Sequence, residues 1–327
     1  MANVNVKVNI NVSLDPHVQP FWEKGYQDLS VSCMGGPSFE VAEVATLLSP
    51  KSKVLDLGCG EGRNALYLAS LGCQVTAVDR SEAGIRKLQM IARNSGIQLK
   101  TIVADINSFN IEGEFDCIMA HGVLNYLDKP LSRKLISQIK LKTRAGGFNI
   151  FTLYIYNEEF PCTNEMKTSH YRNSFLPNEL HLLYEDWHEV RYDKYVKWDS
   201  HPGIPMHYHP VEKLVSQKPG GDNIGRLVKI PISCLNTISN NLFHGISMGL
   251  TEEDVYALIG KPEVVDKMNA NGIQFGMSLY NPDRPHPTVE GYTLQLWYYG
   301  KYVVYVSNGL VSGKALYYTQ PIRIICS

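Results

Sequence analysis

Hydrophobic and polar positions follow two alternating spacings over the first half of the chain. Short apolar runs, typical of buried strands, are separated by segments in which apolar residues recur every three or four positions, as on one face of a helix. Strands are predicted at residues 53–57, 73–78, 98–103, 115–119 and 148–154, and helices at 39–48, 63–71, 81–95 and 130–142. Gly146 and Gly147 are expected to end the last helix. The alternation predicts an α/β fold, a parallel sheet with helices on both faces.

The pattern changes at both ends of this region. Residues 3–12 alternate Asn or Lys with Val or Ile, which predicts an appended edge strand or a frayed tail. Two late strands are predicted at 187–196 and 207–217, and residues 219–225 then read Pro-Gly-Gly-Asp-Asn-Ile-Gly, the composition of a linker. The predicted organisation is an N-terminal extension at 1–19, a first domain at 20–218, a linker at 219–225 and a second domain at 226–327.

Residues 226–327 hold one clear helical stretch, at whose start Thr251 and Asp254 have the spacing of a capping box. The rest is aromatic and β-branched, with a predicted hairpin of strands at 292–297 and 302–306. We therefore predict a small α+β domain with a binding or docking role, through which the protein contacts a partner protein or a second copy of itself. Because each side of the linker has its own apolar pattern, the first domain is expected to fold without the second.

Composition excludes several classes of protein. The chain has 327 residues, and its 31 basic and 32 acidic residues leave a formal charge of -1, which argues against a general grip on nucleic-acid phosphates. No apolar run is long enough for a membrane helix, and the N-terminal residues lack the apolar core of a signal peptide, so a cytoplasmic protein is expected. Seven scattered cysteines without a CxxC pair are interpreted as reduced thiols.

The most informative segment is 54–64, Val-Leu-Asp-Leu-Gly-Cys-Gly-Glu-Gly-Arg-Asn, at the junction of the first predicted strand and its helix. A dinucleotide turn needs G-x-G-x-x-G, but Arg63 occupies the position of its third glycine. G-x-G-x-G after an acidic residue suits S-adenosylmethionine instead, because the ammonium group of this cofactor favours a carboxylate such as Asp56. Asp79 ends the next strand, where it can accept hydrogen bonds from ribose hydroxyls, and Asp105 follows the third strand within reach of an adenine amino group.

Residues 54–81 resemble the opening half of class I S-adenosylmethionine-dependent methyltransferases, and GCGxGRN at 58–64 is similar to the tellurite-resistance branch of that family. Phe160–Thr163 and Tyr184–Trp187 also resemble this branch, so the resemblance covers about 20–218. It implies a Rossmann-like seven-stranded sheet with an antiparallel last strand, and S-adenosyl-L-methionine over the carboxyl ends of the first three strands. The cofactor contacts expected with it are Asp56, Gly58, Cys59, Gly60, Gly62, Arg63, Asn64, Asp79, Arg80, Ser81, Asp105, Ile106, His121, Gly122 and Val123.

Candidate catalytic residues are fewer, because methyl transfer depends mainly on positioning and needs a base only for hydroxyl or amine acceptors. His121, at the end of the fourth predicted strand, is interpreted as a general base or a pocket contact, with Tyr126 just beyond it. His207 is the third candidate. Substrate contacts are predicted at Tyr26, His170, Arg172, His201 and His209.

The histidines at 201, 207 and 209 have three possible interpretations: a metal site, the lining of a substrate pocket, or surface polar residues. We expect pocket lining and no metal. Where the tellurite branch carries basic residues near the end of the domain, this chain has the stretch 198–209, Trp-Asp-Ser-His-Pro-Gly-Ile-Pro-Met-His-Tyr-His.

The sequence therefore predicts a methyltransferase that acts on a small molecule, such as a thiol or an oxyanion, by in-line transfer. One alternative is a tailoring methyltransferase for a peptide or natural product, with the second domain gripping the substrate. Another is a cofactor-binding regulatory protein without catalytic activity. Neither nucleic acid nor a membrane is expected as a partner.

Overall fold

The computed structural model describes residues 21–28, 31–32, 36–160, 171–201, 204–220, 227–231, 240–247, 249–262, 264–270, 277–278, 292–299, 302–307, 309–317 and 322–326. The helices are α1 (Phe21–Gln27), α2 (Phe39–Ala45), α3 (Arg63–Ser70), α4 (Glu82–Asn94), α5 (Lys129–Lys142), α6 (Glu179–Leu183), α7 (Asn240–Gly245) and α8 (Glu252–Ile259). The strands are β1 (Val31–Ser32), β2 (Lys53–Leu57), β3 (Gln74–Asp79), β4 (Lys100–Val103), β5 (Phe115–His121), β6 (Thr143–Tyr154), β7 (His188–His201), β8 (Ile204–Gln217), β9 (Leu227–Pro231), β10 (Val264–Ala270), β11 (Met277–Ser278), β12 (Tyr292–Tyr299), β13 (Tyr302–Ser307), β14 (Leu310–Tyr317) and β15 (Ile322–Cys326). The strand predicted at 3–12 lies outside the described residues.

Seven strands form the predicted methyltransferase-like sheet, in the order β4-β3-β2-β5-β6-β8-β7. The first five are parallel, and β8 is antiparallel to both of its neighbours. This arrangement confirms the predicted α/β fold with an antiparallel last strand. It also brings the carboxyl ends of β2, β3, β4 and β5 to one edge of the sheet, where the loops that follow them meet.

The apolar runs of the central strands arise because both faces of the sheet are covered. Val54 of β2 packs into a cluster with residues of α2, α3 and α4, whereas its neighbour Leu55 packs on the opposite face with residues of α5 and α6. Successive strand residues point to opposite faces, so a strand that is buried on both needs apolar residues throughout. None of the described helices has the length and apolar character needed to cross a bilayer.

The sheet does not stop at β7. Strand β14 pairs antiparallel with β7, and β13, β12 and β10 follow, so one eleven-stranded sheet runs through both predicted domains. Trp198 of β7 shares a hydrophobic cluster with Phe243 and Trp297, and on the other face Tyr195 stacks on Tyr317 with 4.7 Å between ring centroids. The first region has two hydrophobic clusters of its own, but two further clusters join it to the second region, and the boundary at 219–225 stays a prediction.

The local predictions for the C-terminal region agree with the structure. The Thr251 hydroxyl accepts a hydrogen bond from the Asp254 N–H (3.2 Å), and the Asp254 carboxylate accepts one from the Thr251 N–H (2.8 Å), which is a capping box at the start of α8. Strands β12 and β13 form the predicted antiparallel pair, with Tyr299 opposite Tyr302.

Two details differ from the expectations. Helix α5 ends at Lys142 and β6 begins at once, so Gly146 and Gly147 lie inside a strand and do not end the helix. A Cβ at Gly147 would collide with the carbonyl oxygen of Asp116, so this glycine permits close approach of β5 and β6. The two late strands are also longer than predicted, because β7 and β8 form a hairpin that continues to His201 opposite Ile204.

Candidate functional site

The loop between β2 and α3 carries three glycines in the left-handed region, Gly58, Gly60 and Gly62, with φ of 71°, 56° and 85°. A residue with a Cβ adopts such a φ only at a cost. A Cβ at any of the three would also collide with a side chain of the protein itself. Those side chains are Val123, Tyr26 and Leu88, in the same order. The glycines are thus required by the loop's own packing, and their contact with a ligand stays a prediction.

Asp79 joins this loop to the end of β3. One carboxylate oxygen accepts a hydrogen bond from the Gly60 N–H (2.7 Å) and the other accepts one from the Ser81 N–H (2.8 Å). Burial raises the pKa of Asp79, against the effect of these two N–H groups. Ser81 in turn begins α4, because its hydroxyl accepts a hydrogen bond from the Gly84 N–H (3.0 Å). Each Asp79 oxygen retains a further lone pair at the carboxyl edge of the sheet.

Asp56 and Cys59 lie buried beneath the loop. The Asp56 carboxylate is 2% exposed and accepts a hydrogen bond from the Ala65 N–H in the first turn of α3. Burial raises the pKa of Asp56 to about 7, although the charge of Arg63 opposes the shift. Burial also raises the pKa of the Cys59 thiol. Asp56 therefore stabilises the start of α3. Gly62, the residue that precedes this helix, has no side chain with which to cap it.

Arg63 and Asn64 connect the loop to the segment that precedes α2. Arg63 donates a hydrogen bond to the Gly36 carbonyl (3.1 Å), and the Asn64 side-chain oxygen accepts one from the Ser38 N–H (2.9 Å). These two residues distinguish the GCGxGRN form of the loop. Their contacts fix the start of α2 beside the site. Their role in cofactor binding stays a prediction.

His121, at the end of β5, belongs to a buried network of charged and polar groups. Its Nε2 contacts the Glu40 carboxylate and lies 2.9 Å from the Thr152 hydroxyl, and Lys213 donates to the other Glu40 oxygen (2.7 Å). On the opposite side of the ring, Arg63 lies 3.5 Å from Nδ1. An arginine can only donate, so Nδ1 accepts and the proton of a neutral ring is on Nε2.

Burial keeps the His121 imidazole neutral at neutral pH. Burial lowers the pKa of His121 to about 4, in spite of the opposing Glu40 carboxylate. Burial alone would raise the pKa of Glu40, but Lys213 and His121 hold it well below its usual range. With both ring nitrogens engaged, His121 is arranged to position its neighbours, which weakens the interpretation of this residue as a general base.

Five rings meet at the carboxyl edge of the sheet, and we call them the aromatic cluster. Successive ring centroids are 5.2, 5.0, 5.1 and 4.9 Å apart. Burial raises the pKa of Tyr126 and of Tyr171, so both phenols are protonated at neutral pH. In order of contact, the members are Trp22, Tyr126, Tyr171, Tyr154 and His209. The structure thus brings together two predicted site residues, Tyr126 and His209, and adds three that were not predicted.

Other predicted residues border this edge. Gly122 has a φ of 69°, and the position of its absent Cβ faces open space. Val123 packs against Gly58. Tyr26 packs against Gly60 and therefore lies at the glycine loop, where cofactor contacts were predicted, whereas the sequence placed it with the substrate.

The remaining predicted residues are less enclosed. Asp105 is exposed, and its carboxylate accepts from the backbone N–H (2.9 Å) and the side-chain amide (2.7 Å) of Asn107. Arg80 and Arg172 are exposed, and Ile106 is half-buried. His170 lies outside the described residues. His201 and His207 are described through their backbone, in β7 and β8.

Glu40 and Lys87 are buried charges near the site that were not predicted from the sequence, and Lys213 is the half-buried partner of Glu40. Glu40 stands between Phe39 and Val41 at the start of an apolar helix face, and Lys87 stands beside Leu88 on another. A charged residue on an apolar face is an available signal, because such residues are rarely buried without a partner. The aromatic cluster gave no signal, since its five members come from five separate segments of the chain.

Among the residues that the structure describes, no group of three or more His, Cys, Asp or Glu side chains is placed to hold a metal ion. This finding does not extend to the side chains of His201 and His207, so the absence of a metal stays a prediction.

The strand order, the antiparallel last strand of the seven and the glycine loop after the central strand define a class I methyltransferase fold. The chain matches the family described as "Tellurite resistance protein TehB" over residues 22–199, more than half of its 327 residues. It therefore belongs to the TehB family.

Individual relatives agree with this assignment. A protein of Haemophilus influenzae (strain ATCC 51907 / DSM 11121 / KW20 / Rd) named "Probable S-adenosyl-L-methionine-dependent methyltransferase TehB" is 34% identical over 155 residues, which are 47% of this chain and 52% of that protein. "Hemagglutinin 1" of Eikenella corrodens is 31% identical over 156 residues, 48% of this chain and 50% of that protein. The crystal structure of TehB from Haemophilus influenzae superposes with a TM-score of 0.51 at 29% identity, covering 55% of this chain and 62% of that one. The chain thus spans about half the length of the curated relatives it matches.

Proposed function

We propose that the protein is an S-adenosyl-L-methionine-dependent methyltransferase whose acceptor is a small molecule or a short peptide. The observation that carries the proposal is the position of Asp79, whose carboxylate joins the glycine loop to the end of β3 at the carboxyl edge of the sheet. Ligands of open α/β sheets bind at this edge, and an acidic residue at the end of the second strand accepts hydrogen bonds from ribose hydroxyls. Membership of the TehB family supports the same function.

The groups at this edge fit the proposed cofactor. Asp79 retains acceptor capacity for two ribose hydroxyls, and Gly122 faces open space at the end of β5. Asp56 supplies the carboxylate beneath the loop that favours an ammonium group. The dinucleotide alternative fits less well, because Arg63 stands at the position of the third glycine and its side chain is engaged with Gly36.

When bound, this cofactor would supply a methyl group activated by a sulfonium. The chain's own residues would then hold the acceptor in line and exclude water, which is the main contribution of a protein to such a displacement. The aromatic cluster is placed to do this with its ring faces and the protonated Tyr126 hydroxyl, while the Tyr171 hydroxyl is hydrogen-bonded to Tyr126 and Tyr154. Protonated phenols do not accept a proton from an acceptor, so these side chains favour acceptors that attack as anions, such as a thiolate or an oxyanion.

The cytoplasm is the compartment we propose with this function. Cys59, Cys73 and Cys117 are buried thiols, and burial raises the pKa of all three. Buried thiols of this kind are typical of proteins in reducing compartments, whereas secreted domains use cysteines in disulfides.

The test is release of S-adenosylhomocysteine during incubation with S-adenosylmethionine and a panel of thiols, oxyanions and peptides. Calorimetry with S-adenosylhomocysteine measures the cofactor site by itself. We expect Asp79→Asn to raise the Kd for S-adenosylhomocysteine by at least about tenfold, because a hydrogen bond to a charged group contributes roughly 1.5–3 kcal/mol. Glu112→Gln, an exposed carboxylate at the opposite edge of the sheet, is the matched control and should leave the Kd unchanged.

Three results would contradict the proposal or part of it. An unchanged Kd in Asp79→Asn would leave Asp79 as a structural cap of the loop and of α4. Micromolar binding of NAD would overturn the choice of cofactor. Cofactor binding without release of S-adenosylhomocysteine for any acceptor would favour a regulatory protein that binds the cofactor without catalysis.

A further inference from the structure

Helix α1 lies across the glycine loop and reaches the aromatic cluster. Tyr26 packs against Gly60 and Gly84, and Trp22, one turn earlier, meets the Tyr126 ring edge-on with 5.2 Å between centroids. Residues four apart lie on the same face of a helix. One face of α1 therefore covers both the glycine loop, where we propose the cofactor, and the aromatic cluster, where we propose the acceptor.

A buried lysine of α4 holds α1 in this position. The Lys87 ammonium donates a hydrogen bond to the Gly25 carbonyl of α1 (2.9 Å) and lies 2.9 Å from a carboxylate oxygen of Glu61. The Lys87 and Glu61 side chains are 1% and 4% exposed. Glu61 stands in the glycine loop between Gly60 and Gly62, so one ammonium group connects α1, the loop and α4.

Burial of the Lys87–Glu61 pair removes two charges from water, which costs free energy. Two apolar side chains of similar volume would often give equal or greater stability, so the pair is better explained by the geometry that it imposes. Apolar side chains pack without fixed direction, whereas an ammonium group must keep its acceptors within hydrogen-bond distance. The Gly25 carbonyl is such an acceptor, and it can approach Lys87 only when α1 is seated on α4. The contacts of Lys87 thus select one position of α1.

We propose that Lys87 is a positioning residue, which holds α1 over the glycine loop so that Tyr26 and Trp22 form the roof of the cofactor and acceptor sites. The assignment of these sites rests on the proposed function, but the position of α1 does not. Lys87 acts through α1 and through Glu61.

Fluorescence of Trp22 provides a test that requires neither cofactor nor acceptor. Trp187, Trp198 and Trp297 are 8%, 8% and 0% exposed, whereas Trp22 is half-buried, so quenching by iodide reports mainly on Trp22. A Trp22→Phe protein gives the background. The test variants are Lys87→Met and the charge-neutral double variant Lys87→Met with Glu61→Gln, which leaves no unpaired buried charge.

We expect the Trp22 quenching constant to rise about twofold or more in both variants, and the Kd for S-adenosylhomocysteine to rise about fivefold or more, since each loses a charge-assisted hydrogen bond. Lys140→Met is the matched control. Lys140 donates to the Leu183 carbonyl (2.8 Å) and pairs with Asp186, so it has the same two kinds of partner in a more exposed place on the other face of the sheet. Because its ammonium lies over the Trp187 ring, the Trp22→Phe background is recorded with this substitution as well. Lys140→Met should change neither quantity.

Unchanged Trp22 quenching in a cooperatively folded Lys87→Met protein overturns the proposal. If S-adenosylhomocysteine fails to bind even the native protein, the quenching still decides the position of α1, so failure of the proposed function is recognised separately. If neither variant folds, hydrogen exchange of the native protein decides. Protection of the α1 amides equal to that of α4 supports the proposal, and exchange at the rate of an unfolded peptide overturns it.

Discussion

Buried charges near the site of this protein hold backbone segments and rings in place. Glu40 carries Lys213 on one oxygen and His121 on the other. A second such pair lies on β7, where the Arg191 Nε and an Asp193 carboxylate oxygen are 2.5 Å apart. When one member of such a pair is removed, the other is left as an uncompensated charge away from water, and the loss of stability is large. The same partners also set which groups are able to take up protons.

His121 gives the residue-scale prediction. An unfolded histidine has a pKa of about 6.5, and burial lowers that of His121 to about 4, so between these values the unfolded chain binds a proton that the folded protein does not. The contribution of His121 to the free energy of unfolding is therefore fully present above the unfolded pKa and is lost as the pH drops through this window. Acidification from pH 7 to pH 5 should cost about 2 kcal/mol of unfolding free energy through this residue.

The measurement is urea unfolding at both pH values for the native protein and for His121→Gln, whose amide donates a hydrogen bond but does not titrate. The chain has ten histidines, and the difference in pH dependence between the two proteins gives the contribution of His121 separately from the other nine. An equal pH dependence in both would show that His121 has an ordinary pKa in the folded protein.

The sequence predicted single site residues where a motif places them at a known point of the fold. Gly58, Gly60 and Asp79 could be located because the strand-loop-helix pattern defines where they lie. Tyr154 and Tyr171 could not, because the contacts of Tyr171 with Tyr126 and with Tyr154 depend on where the ends of β5 and β6 and the segment before α6 meet in space. Sequence periodicity gives the direction of a side chain but not its neighbour in another segment.

At the scale of elements, prediction succeeded where a local signal determines the outcome. Thr251 and Asp254 form the capping box that their spacing indicated, because both partners lie within one turn. Gly146 and Gly147 show the opposite case. Gly-Gly after a helix is a common stop signal, but here the requirement for glycine comes from the Asp116 carbonyl of a neighbouring strand, which the local sequence does not reveal.

The capping box gives the element-scale prediction. Thr251→Ala removes the side-chain acceptor for the Asp254 N–H and should lower the free energy of unfolding by about 1 kcal/mol. Thr251→Ser keeps the hydroxyl and should restore most of the loss. Chemical denaturation of the three proteins tests this, with hydrogen exchange at the α8 amides as a local readout. Equal stability of the Ala and Ser variants would mean that the helix is held by its other contacts, such as the packing of Val255 and the stacking of Tyr256 on Trp297.

At the scale of the whole molecule, the main departure from the sequence analysis is the pairing of β14 with β7. Alternating apolar patterns identify strands but do not name their partners, and these two strands are separated by the whole of the predicted linker and most of the second domain. Residues 218–220 lie outside any helix or strand, and the rest of the predicted linker at 219–225 lies outside the described residues. A linker in sequence does not imply separate sheets.

The shared sheet changes what is expected of a chain that ends at Lys218. Without β14, strand β7 becomes an open edge, and Val196 and Trp198 lose the partners with which they are buried. An exposed apolar edge strand is a site of self-association. The shortened protein should therefore aggregate or sediment as a mixture, in contrast to the full chain.

Replacing the edge tests whether the lost contacts are the cause. In the shortened protein, Val196→Lys with Trp198→Lys places charges along the face that the C-terminal region covers, and charged edges resist pairing. We expect light scattering to show a monomer for this variant, with S-adenosylhomocysteine affinity close to that of the full chain, because the glycine loop and Asp79 lie on the far side of β6 from β7. A shortened native sequence that is monomeric and unfolds at the same urea concentration as the full chain would show that residues 20–218 are independent after all, as their apolar pattern alone suggested.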